Sequence, residues 1–198
     1  MRYRAPRRAP SPHFHEIFNL LRHDVLTIMK RMFLLLCFLL SCICLQPAHA
    51  QSTIFVTRHA DRYGTEPDPS LTPTGEKQSQ ALAQLLSDAN VRHIFTTELV
   101  RTQQTAAPLA RLTGITPVTV PQQNFDELIT KVRASLQPNQ SILVVGHRAT
   151  VPKIVHALTG KDISPLGSGE YGCLIAITLF PDGHSSVVTL RYAPSPTS

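Results

Sequence analysis

The stretch that decides the fold is TIFVTRHA, residues 53–60, an apolar run that ends in an arginine and a histidine. A second run, SILVVG at residues 141–146, ends in the same way at His147. Short apolar runs bounded by turn or helix signals are typical of buried parallel strands. Ligands bind at the carboxyl edge of such sheets. The two runs therefore predict a ligand site that contains Arg58, His59 and His147.

Helical and strand patterns alternate along the rest of the chain, and a hairpin signal at residues 181–184 joins the last two strands. The predicted helices span residues 74–89, 98–113, 126–136 and 151–158, and the further strands span residues 93–96, 116–120, 173–179 and 186–192. Thr74 is the expected cap of the first helix. The alternation predicts an α/β fold, a three-layer α/β/α sandwich with a mostly parallel sheet and a C-terminal antiparallel hairpin.

The charge of the chain is unevenly distributed. Its 198 residues include 19 Lys and Arg and 13 Asp and Glu, for a formal net charge of +6. Seven of the basic residues and two of the acidic ones lie in residues 1–50, which leaves 12 basic and 11 acidic residues in residues 51–198. A nearly neutral body is not typical of nucleic-acid binding, so no nucleic-acid partner is expected.

The basic excess belongs to a leader. A Lys-Arg pair precedes an apolar stretch at residues 32–45, and an Ala-x-Ala end follows at residues 48–50. This order predicts a signal peptide at residues 29–50 that is cleaved after Ala50. We expect the protein to be secreted across the inner membrane into the periplasm, with no stable membrane span after cleavage. The alternatives are an uncleaved anchor and a lipoprotein signal at Cys42.

Residues 1–28 are rich in Arg, Pro and His and precede this leader. The simplest interpretation is a non-native upstream extension, with translation starting at Met29; a long natural leader is the alternative. Residues 51–193 are then expected to form one domain, and residues 194–198 a disordered tail.

A second arginine, Arg101, lies in the segment ELVRTQQTA at residues 98–106. With Arg58, His59 and His147 it would complete a pocket of two arginines and two histidines. A planar guanidinium fork can hold two phosphate oxygens, and a neutral imidazole is a good nucleophile at neutral pH. These residue types suit a phosphoryl group that one histidine takes up covalently.

These residues resemble the motifs of the histidine phosphatase superfamily, also called phosphoglycerate mutase-like. In family order the four motifs are RHA at residues 58–60, LTPTG at residues 71–75, LVRTQQTA at residues 99–106 and GH at residues 146–147. The resemblance covers residues 53–192. It implies a metal-independent phosphatase, a phosphoric monoester hydrolase that needs no cofactor and acts on a small phosphorylated substrate.

The resemblance also implies the role of each site residue. His59 would be the nucleophile and form a phosphohistidine, with a backbone carbonyl holding its other ring nitrogen. Arg58, Arg101 and His147 would bind the phosphate. The helix after His147 would add the positive end of its dipole.

The proton donor is left open by the resemblance. Asp126 is the first candidate, although a carboxylate at a helix start also serves as a cap. Glu127, Glu98 and Asp61 follow in that order, and Glu98 also suits a helical ion pair with Arg101. Relatives that act on phosphohistidine manage without a dedicated acid, because a protonated nitrogen leaving group needs less help.

Two further arginines, Arg62 and Arg148, would bind substrate at the rim of the site; for each, a solvent-facing side chain is the alternative. The remaining histidines of the domain, His93, His156 and His184, lack the spacing of a metal site, so no metal is expected. Dinucleotide-binding and P-loop glycine motifs are absent from the sequence.

The leading function is therefore an exported phosphatase that hydrolyses a phosphate ester, or a phosphoramidate, through a phosphohistidine on His59. The alternatives are a non-catalytic phosphate- or glycan-phosphate-binding protein on the same fold and a phosphoglycerate mutase-like phosphotransferase. The sequence leaves the substrate and the oligomeric state open.

Overall fold

The structure, a computed structural model, describes residues 29–35, 51–64 and 66–193. The chain divides into two units, Met1–Ala48 and His49–Ser198. In the first unit, residues 29–35 are helical and exposed. The expected upstream extension, most of the signal peptide and the C-terminal tail lie outside the described residues. Within the described residues, no helix has both the length and the apolar character that crossing a membrane requires.

Strands and helices alternate through the second unit until two strands follow one another at its end. In chain order they are β1 (Ser52–Arg58), α1 (Pro73–Leu85), β2 (Val91–Thr96), α2 (Val100–Thr113), β3 (Val118–Thr119), α3 (Phe125–Ala134), β4 (Ser141–Gly146), α4 (Thr150–Thr159), β5 (Cys173–Leu179) and β6 (Ser185–Arg191). Each element predicted from the sequence is present, with ends that differ by a few residues.

The strands form one sheet in the order β3-β2-β4-β1-β5-β6. The strands β1 to β4 run parallel to their neighbours within this group, whereas β5 is antiparallel to both β1 and β6. In the turn between β5 and β6, Phe180 N donates to His184 O at 3.0 Å and Gly183 N donates to Phe180 O at 3.1 Å. The predicted parallel sheet with a C-terminal antiparallel hairpin is confirmed.

Helices cover both faces of this sheet. Along β4, Ile142 and Val144 pack into one apolar cluster, and Leu143 and Val145 pack into another. Because side chains alternate in direction along a strand, the two clusters lie on opposite faces. The first cluster includes residues of α3 and α4, and the second includes residues of α1 and α2. The predicted three-layer arrangement is therefore confirmed.

The start of α1 differs from the sequence prediction. The cap is Thr72, whose hydroxyl accepts a hydrogen bond from Gly75 N at 3.0 Å, and Thr74 lies inside the first turn. Pro73 explains the difference, because proline is favoured at the first helical position, where its missing N–H would have no helical partner.

Gly75 is the point at which α1 touches the chain that leaves β1. A Cβ at Gly75 would lie 2.0 Å from Asp61 O, a distance that no side chain can adopt. The same carbonyl accepts a hydrogen bond from Thr72 N at 3.1 Å. The LTPTG segment therefore docks the first turn of α1 against the loop that follows Arg58 and His59.

Candidate active site

The register of β1 and β4 places the two predicted histidines side by side. Arg58 pairs with Gly146 in the parallel ladder, and His59 N donates to Gly146 O at 2.9 Å. The residue after each strand, His59 or His147, then leaves the sheet at the same edge. The ring centroids of these two histidines are 5.5 Å apart. The structure thus brings together the residues that end the two apolar runs.

The ring of His59 is held in one orientation and one tautomer. Its Nδ1 lies 2.8 Å from Ala60 O, and because a carbonyl can only accept, Nδ1 carries the proton. The side chain is buried, with 4% of the residue exposed. Burial, reinforced by the charge of Arg58, lowers the pKa of His59 from 6.5 to about 3. The ring is therefore neutral at physiological pH, and its Nε2 has an unshared electron pair.

The helix that carries Arg101, α2, holds the main chain around His59 in place. Ala60 N donates to Thr105 Oγ1 at 2.9 Å, and the Thr105 hydroxyl donates to Arg101 O at 2.7 Å. Thr105 is fully buried. This bridge explains why a threonine follows Arg101 by one helical turn, since it ties α2 to the end of β1.

One end of the Arg58 guanidinium group forms hydrogen bonds with the main chain. Its Nη1 donates to Gly167 O, Ser168 O and Glu170 O at 3.2, 2.8 and 3.2 Å. Its Nε is buried and has no hydrogen-bond partner. Since 7% of the residue is exposed, the guanidinium group lies in a largely desolvated setting. The Nε–Nη2 edge is therefore available for a ligand.

The guanidinium group of Arg101 is divided in the same way. Its Nη1 lies 3.5 Å from Asp68 Oδ1 and 3.4 Å from Pro67 O, whereas its Nε is buried without a partner. Asp68 also accepts a hydrogen bond from Val100 N at 2.9 Å, at the first residue of α2. The loop after β1 thus holds one edge of Arg101 and leaves the Nε–Nη2 edge available.

His147 is fixed by the start of α4. His147 N donates to Thr150 Oγ1 at 2.8 Å, and a Cβ at Gly146 would meet the same Oγ1 at 2.9 Å. The Nε2 of His147 lies 3.3 Å from Oγ1 of Thr97, the residue after β2. Burial, reinforced by the charge of Arg101, lowers the pKa of His147 from 6.5 to about 4. A second neutral imidazole therefore faces the first.

This donor set suits a phosphoryl group. Two buried Nε–H groups lack partners, and leaving a buried charged donor unpaired costs more than about 1–3 kcal/mol. An oxyanion between the two arginines would satisfy both donors with charge-assisted hydrogen bonds. Because the site is largely desolvated, these interactions would be stronger than in water.

Sequence reasoning missed one residue of this site, Tyr171. Its ring lies beneath the guanidinium group of Arg58, 4.0 Å from Cζ to the ring centroid, and 6.0 Å from the ring of His59. Tyr171 belongs to the loop before β5, far from both residues along the chain. No pattern of residue types or spacing connects it to them; the antiparallel pairing of β5 with β1 does.

The four candidate proton donors lie at different places. Asp126 is exposed in the first turn of α3, and within the described residues its side chain forms no hydrogen bond or ion pair. It does not cap the helix, which begins after Asn124 without a side-chain cap. Glu127 lies 3.6 Å from Lys131 as an ion pair along the helix. Asp61 Oδ2 accepts from Thr72 Oγ1 at 2.7 Å.

Two of the candidate acids act electrostatically on the site: the charge of Asp61 opposes the lowering of the pKa of Arg58, and Glu98 acts on two other site residues. Its negative charge partly offsets the lowering of the pKa of both His147 and Arg101. Its Oε2 accepts a hydrogen bond from Gln122 N at 2.8 Å, which directs the carboxylate toward the loop after β3. The side chain is exposed, as a group that exchanges protons with water must be.

The two rim arginines lie within electrostatic reach of the pocket. Arg62 donates to Tyr63 O at 3.1 Å and to Gly64 O, so its own loop holds it. Its charge contributes to the lowering of the pKa of Arg58 and Arg101, and the exposed Arg148 acts likewise on Arg58.

The other histidines lie elsewhere. His156 and His184 pair with Asp162 and Asp182 at 2.9 and 3.0 Å, and His93 lies on β2. In the part of the chain that the structure describes, no three His, Cys, Asp or Glu side chains are grouped as a metal site.

Comparison with known proteins finds similarity to one superfamily over part of the chain. Residues 49–128 match the family model of the histidine phosphatase superfamily (branch 1). The chain is 33% identical over 97 residues to the probable phosphoglycerate mutase GpmB of Yersinia enterocolitica, covering 44% of this chain and 45% of that protein. A PE-PGRS family protein of Mycobacterium tuberculosis is 48% identical over 59 residues, 29% of this chain and 10% of that protein. The chain thus spans less than half the length of these curated relatives.

Two solved structures share the fold. The protein histidine phosphatase SixA, complexed with tungstate, has a TM-score of 0.55 at 16% identity and covers 70% of this chain and 96% of its own. A mycobacterial glucosyl-3-phosphoglycerate phosphatase has a TM-score of 0.60 at 13% identity and covers 73% of this chain and 100% of its own. At these identities the likeness shows a common fold.

Proposed function

We propose that this chain, of which residues 49–128 match the histidine phosphatase superfamily, is a member of that superfamily and a phosphatase that hydrolyses a phosphate ester through a phosphohistidine on His59. The observation that carries the proposal is the state of the His59 ring. Its Nδ1 donates to Ala60 O at 2.8 Å, which leaves Nε2 unprotonated. The charges of Arg58 and Arg101 both act on this ring, and each of these arginines has a buried Nε that lacks a partner. A nucleophile and an oxyanion site therefore occupy the same pocket.

In the first step, His59 Nε2 attacks phosphorus and the bond from phosphorus to the leaving oxygen breaks. The Nε–Nη2 edges of Arg58 and Arg101 hold the oxygens of the transferring group, and His147 donates to the same group. The leaving oxygen takes a proton from an acid. In the second step, water gives a proton to the same acidic group, now in its basic form, and attacks phosphorus. The P–N bond breaks, its electron pair returns to His59 Nε2, and inorganic phosphate leaves.

Independence of metal ions is part of the proposal. A metal ion in such reactions neutralises charge on the phosphoryl oxygens. Here two fixed, desolvated guanidinium groups can supply that neutralisation. Hydrolysis of p-nitrophenyl phosphate that is unchanged by a chelator is the expected result.

The hydrolysis assay, together with a binding and a transfer measurement, distinguishes the two alternative functions. A phosphate-binding protein without catalysis would bind inorganic phosphate in calorimetry and release no p-nitrophenol. A mutase-like phosphotransferase is the second candidate, because a probable phosphoglycerate mutase is among the relatives. It would move the phosphoryl group within phosphoglycerate faster than it releases phosphate, which nuclear magnetic resonance of phosphorus can follow.

The proton donor is tested by a matched pair of variants, Asp126→Asn and Glu98→Gln. Loss of the true acid should slow an alkyl phosphate far more than p-nitrophenyl phosphate, whose leaving group needs little protonation. The sequence favours Asp126, whereas the electrostatic connection to His147 supports Glu98. If neither variant shows a leaving-group effect, Glu127→Gln and Asp61→Asn are tested next. The absence of an effect in all four variants would favour a substrate with an easily expelled leaving group, such as a phosphoramidate.

Export completes the proposal and is supported by the sequence of residues 29–50. The mature protein should begin at Gln51 and be recovered from the periplasm, which N-terminal sequencing of that fraction would establish. A protein that retains residues 32–45 would instead indicate an anchor.

A further inference from the structure

The loop before β5 surrounds the guanidinium group of Arg58 on two sides. Three of its carbonyls, from Gly167, Ser168 and Glu170, accept hydrogen bonds from Nη1. The ring of Tyr171 covers another side of the group, with its centroid 4.0 Å from Cζ. These contacts leave the Nε–Nη2 edge as the part of the group without a protein partner.

The loop is itself braced, so that it can hold Arg58 in one place. Glu170 accepts a hydrogen bond from Gly167 N at 2.9 Å and forms an ion pair with Arg191 on β6. At its end, Gly172 O accepts from Tyr192 N at 2.9 Å, and Gly172 has a φ of 69°, which favours glycine. The direction of Tyr171 is thus set by the β5–β6 hairpin.

Tyr171 is placed to act on the geometry of the site. Only 9% of the residue is exposed, and its ring lies 6.0 Å from the ring of His59. An aromatic face attracts a guanidinium group and excludes water from that side of it. A guanidinium group held against a ring face on one side and by three carbonyls on another has few directions left in which its free edge can point.

We propose that Tyr171 is a positioning residue for the phosphate: its ring, 4.0 Å from Cζ, holds the guanidinium group of Arg58 in place so that the Nε–Nη2 edge faces the phosphoryl group beside His59. This inference rests on the proposed function. If it holds, phosphate affinity depends on the β5–β6 hairpin and on the loop before it, as well as on the residues of the four motifs.

The test compares Tyr171→Leu with Tyr171→Phe in the full-length protein. Loss of the ring should lower kcat/KM for p-nitrophenyl phosphate roughly 2- to 30-fold and weaken binding of inorganic phosphate by a similar factor. Tyr171→Phe, which keeps the aromatic face, should restore both to within about threefold of wild type. Phosphate binding is measured by calorimetry, which does not depend on turnover.

The matched control is Tyr192→Leu, which removes another tyrosine ring near the same strand end. Tyr192 Oη lies 3.4 Å from Thr57 Oγ1, and among the described residues no hydrogen bond or ring contact joins its side chain to Arg58. It should lower thermal stability without a comparable loss of phosphate affinity. In an Arg58→Ala background, Tyr171→Leu should have little further effect on phosphate affinity, because the two residues act as a unit.

Three results would overturn the inference: wild-type affinity in Tyr171→Leu, an equal loss in Tyr171→Phe, or an equal loss in Tyr192→Leu. A protein that binds phosphate but hydrolyses no ester would contradict the proposed function and still allow Tyr171 to be tested by affinity. A protein that binds no phosphate would overturn both.

Discussion

At the scale of single residues, Arg58 and Arg101 each present one edge of a guanidinium group to the protein and the other to the pocket. The protein edges are held by loop carbonyls for Arg58 and by Asp68 for Arg101. In both, the buried Nε has no partner. Two fixed forks of this kind are prepared for the equatorial oxygens of a phosphoryl group before any substrate arrives.

Arg101→Lys should therefore lower kcat about a hundred- to thousandfold, the usual loss for one transition-state donor. Lysine keeps the charge but has no planar fork, so it cannot keep Asp68 and a phosphate oxygen on separate edges. Steady-state kinetics with p-nitrophenyl phosphate measures the effect. Turnover close to wild type would show that Arg101 contributes charge alone.

The two histidines predict how stability changes with pH. Burial lowers the pKa of His59 to about 3 and of His147 to about 4, below the 6.5 of an unfolded chain. Between pH 6.5 and the lowered pKa of each histidine, the unfolded chain therefore binds more protons than the folded one. The free energy of unfolding falls as the pH falls from 6.5 toward about 4 for His147 and about 3 for His59. Each histidine contributes at most about 1.4 kcal/mol per pH unit within its own range.

Urea unfolding at pH 7.5 and pH 5 should show this loss, and His59→Asn should reduce it. Bound phosphate should reduce it further, because an anion in the pocket favours the protonated rings. An equal loss of stability in wild type and His59→Asn would mean that His59 is not held neutral by the fold.

At the scale of elements, the site depends on one close approach between a helix and a loop. The first turn of α1 lies against Asp61 O, and a Cβ at Gly75 would be 2.0 Å from that oxygen. Backbone atoms cannot give way as a flexible side chain can. The loop that carries Arg62 and Asp68 is therefore positioned by a glycine in α1.

Gly75→Ala should destabilise the domain by roughly 1–3 kcal/mol, the usual cost of overpacking, and lower the melting temperature by several degrees. Gly169→Ala is the matched control, because Gly169 has open space around its Cβ position and no positive φ. Thermal unfolding followed by circular dichroism compares the two. An unchanged melting temperature in Gly75→Ala would contradict the close approach.

Sequence patterns predicted the elements well because apolar runs and helical periodicity are local. The strand ends at Arg58 and Gly146 are examples, and the sheet register then places their neighbours together. The predicted cap of α1, Thr74, was wrong because Thr72 and Thr74 are equivalent by residue type. Pro73 decides between them, since it takes the first helical position. Tyr171 could not be found, since its contact with Arg58 depends on a loop conformation.

At the scale of the whole molecule, the sheet collects residues that lie far apart along the chain. Arg58 ends β1 and His59 follows it, Arg101 lies in the first turn of α2, and His147 follows β4. The order of strands places β4 between β1 and β2, so these carboxyl ends are neighbours. The sequence could predict that these ends meet, because parallel strands place their carboxyl ends at one edge. It could not predict the direction of the Glu98 carboxylate, because that depends on a hydrogen bond from Gln122 in the loop after β3.

The measurement that tests the central claim most directly is the trapping of a phosphoenzyme on His59. Wild-type protein mixed with labelled p-nitrophenyl phosphate and quenched in alkali should retain the label, which acid should release, as expected of a phosphoramidate. Mass spectrometry should place the phosphoryl group on His59, and His59→Ala should trap none while still binding inorganic phosphate through its arginines. Undiminished turnover in His59→Ala, or a label on another residue, would contradict covalent catalysis by His59.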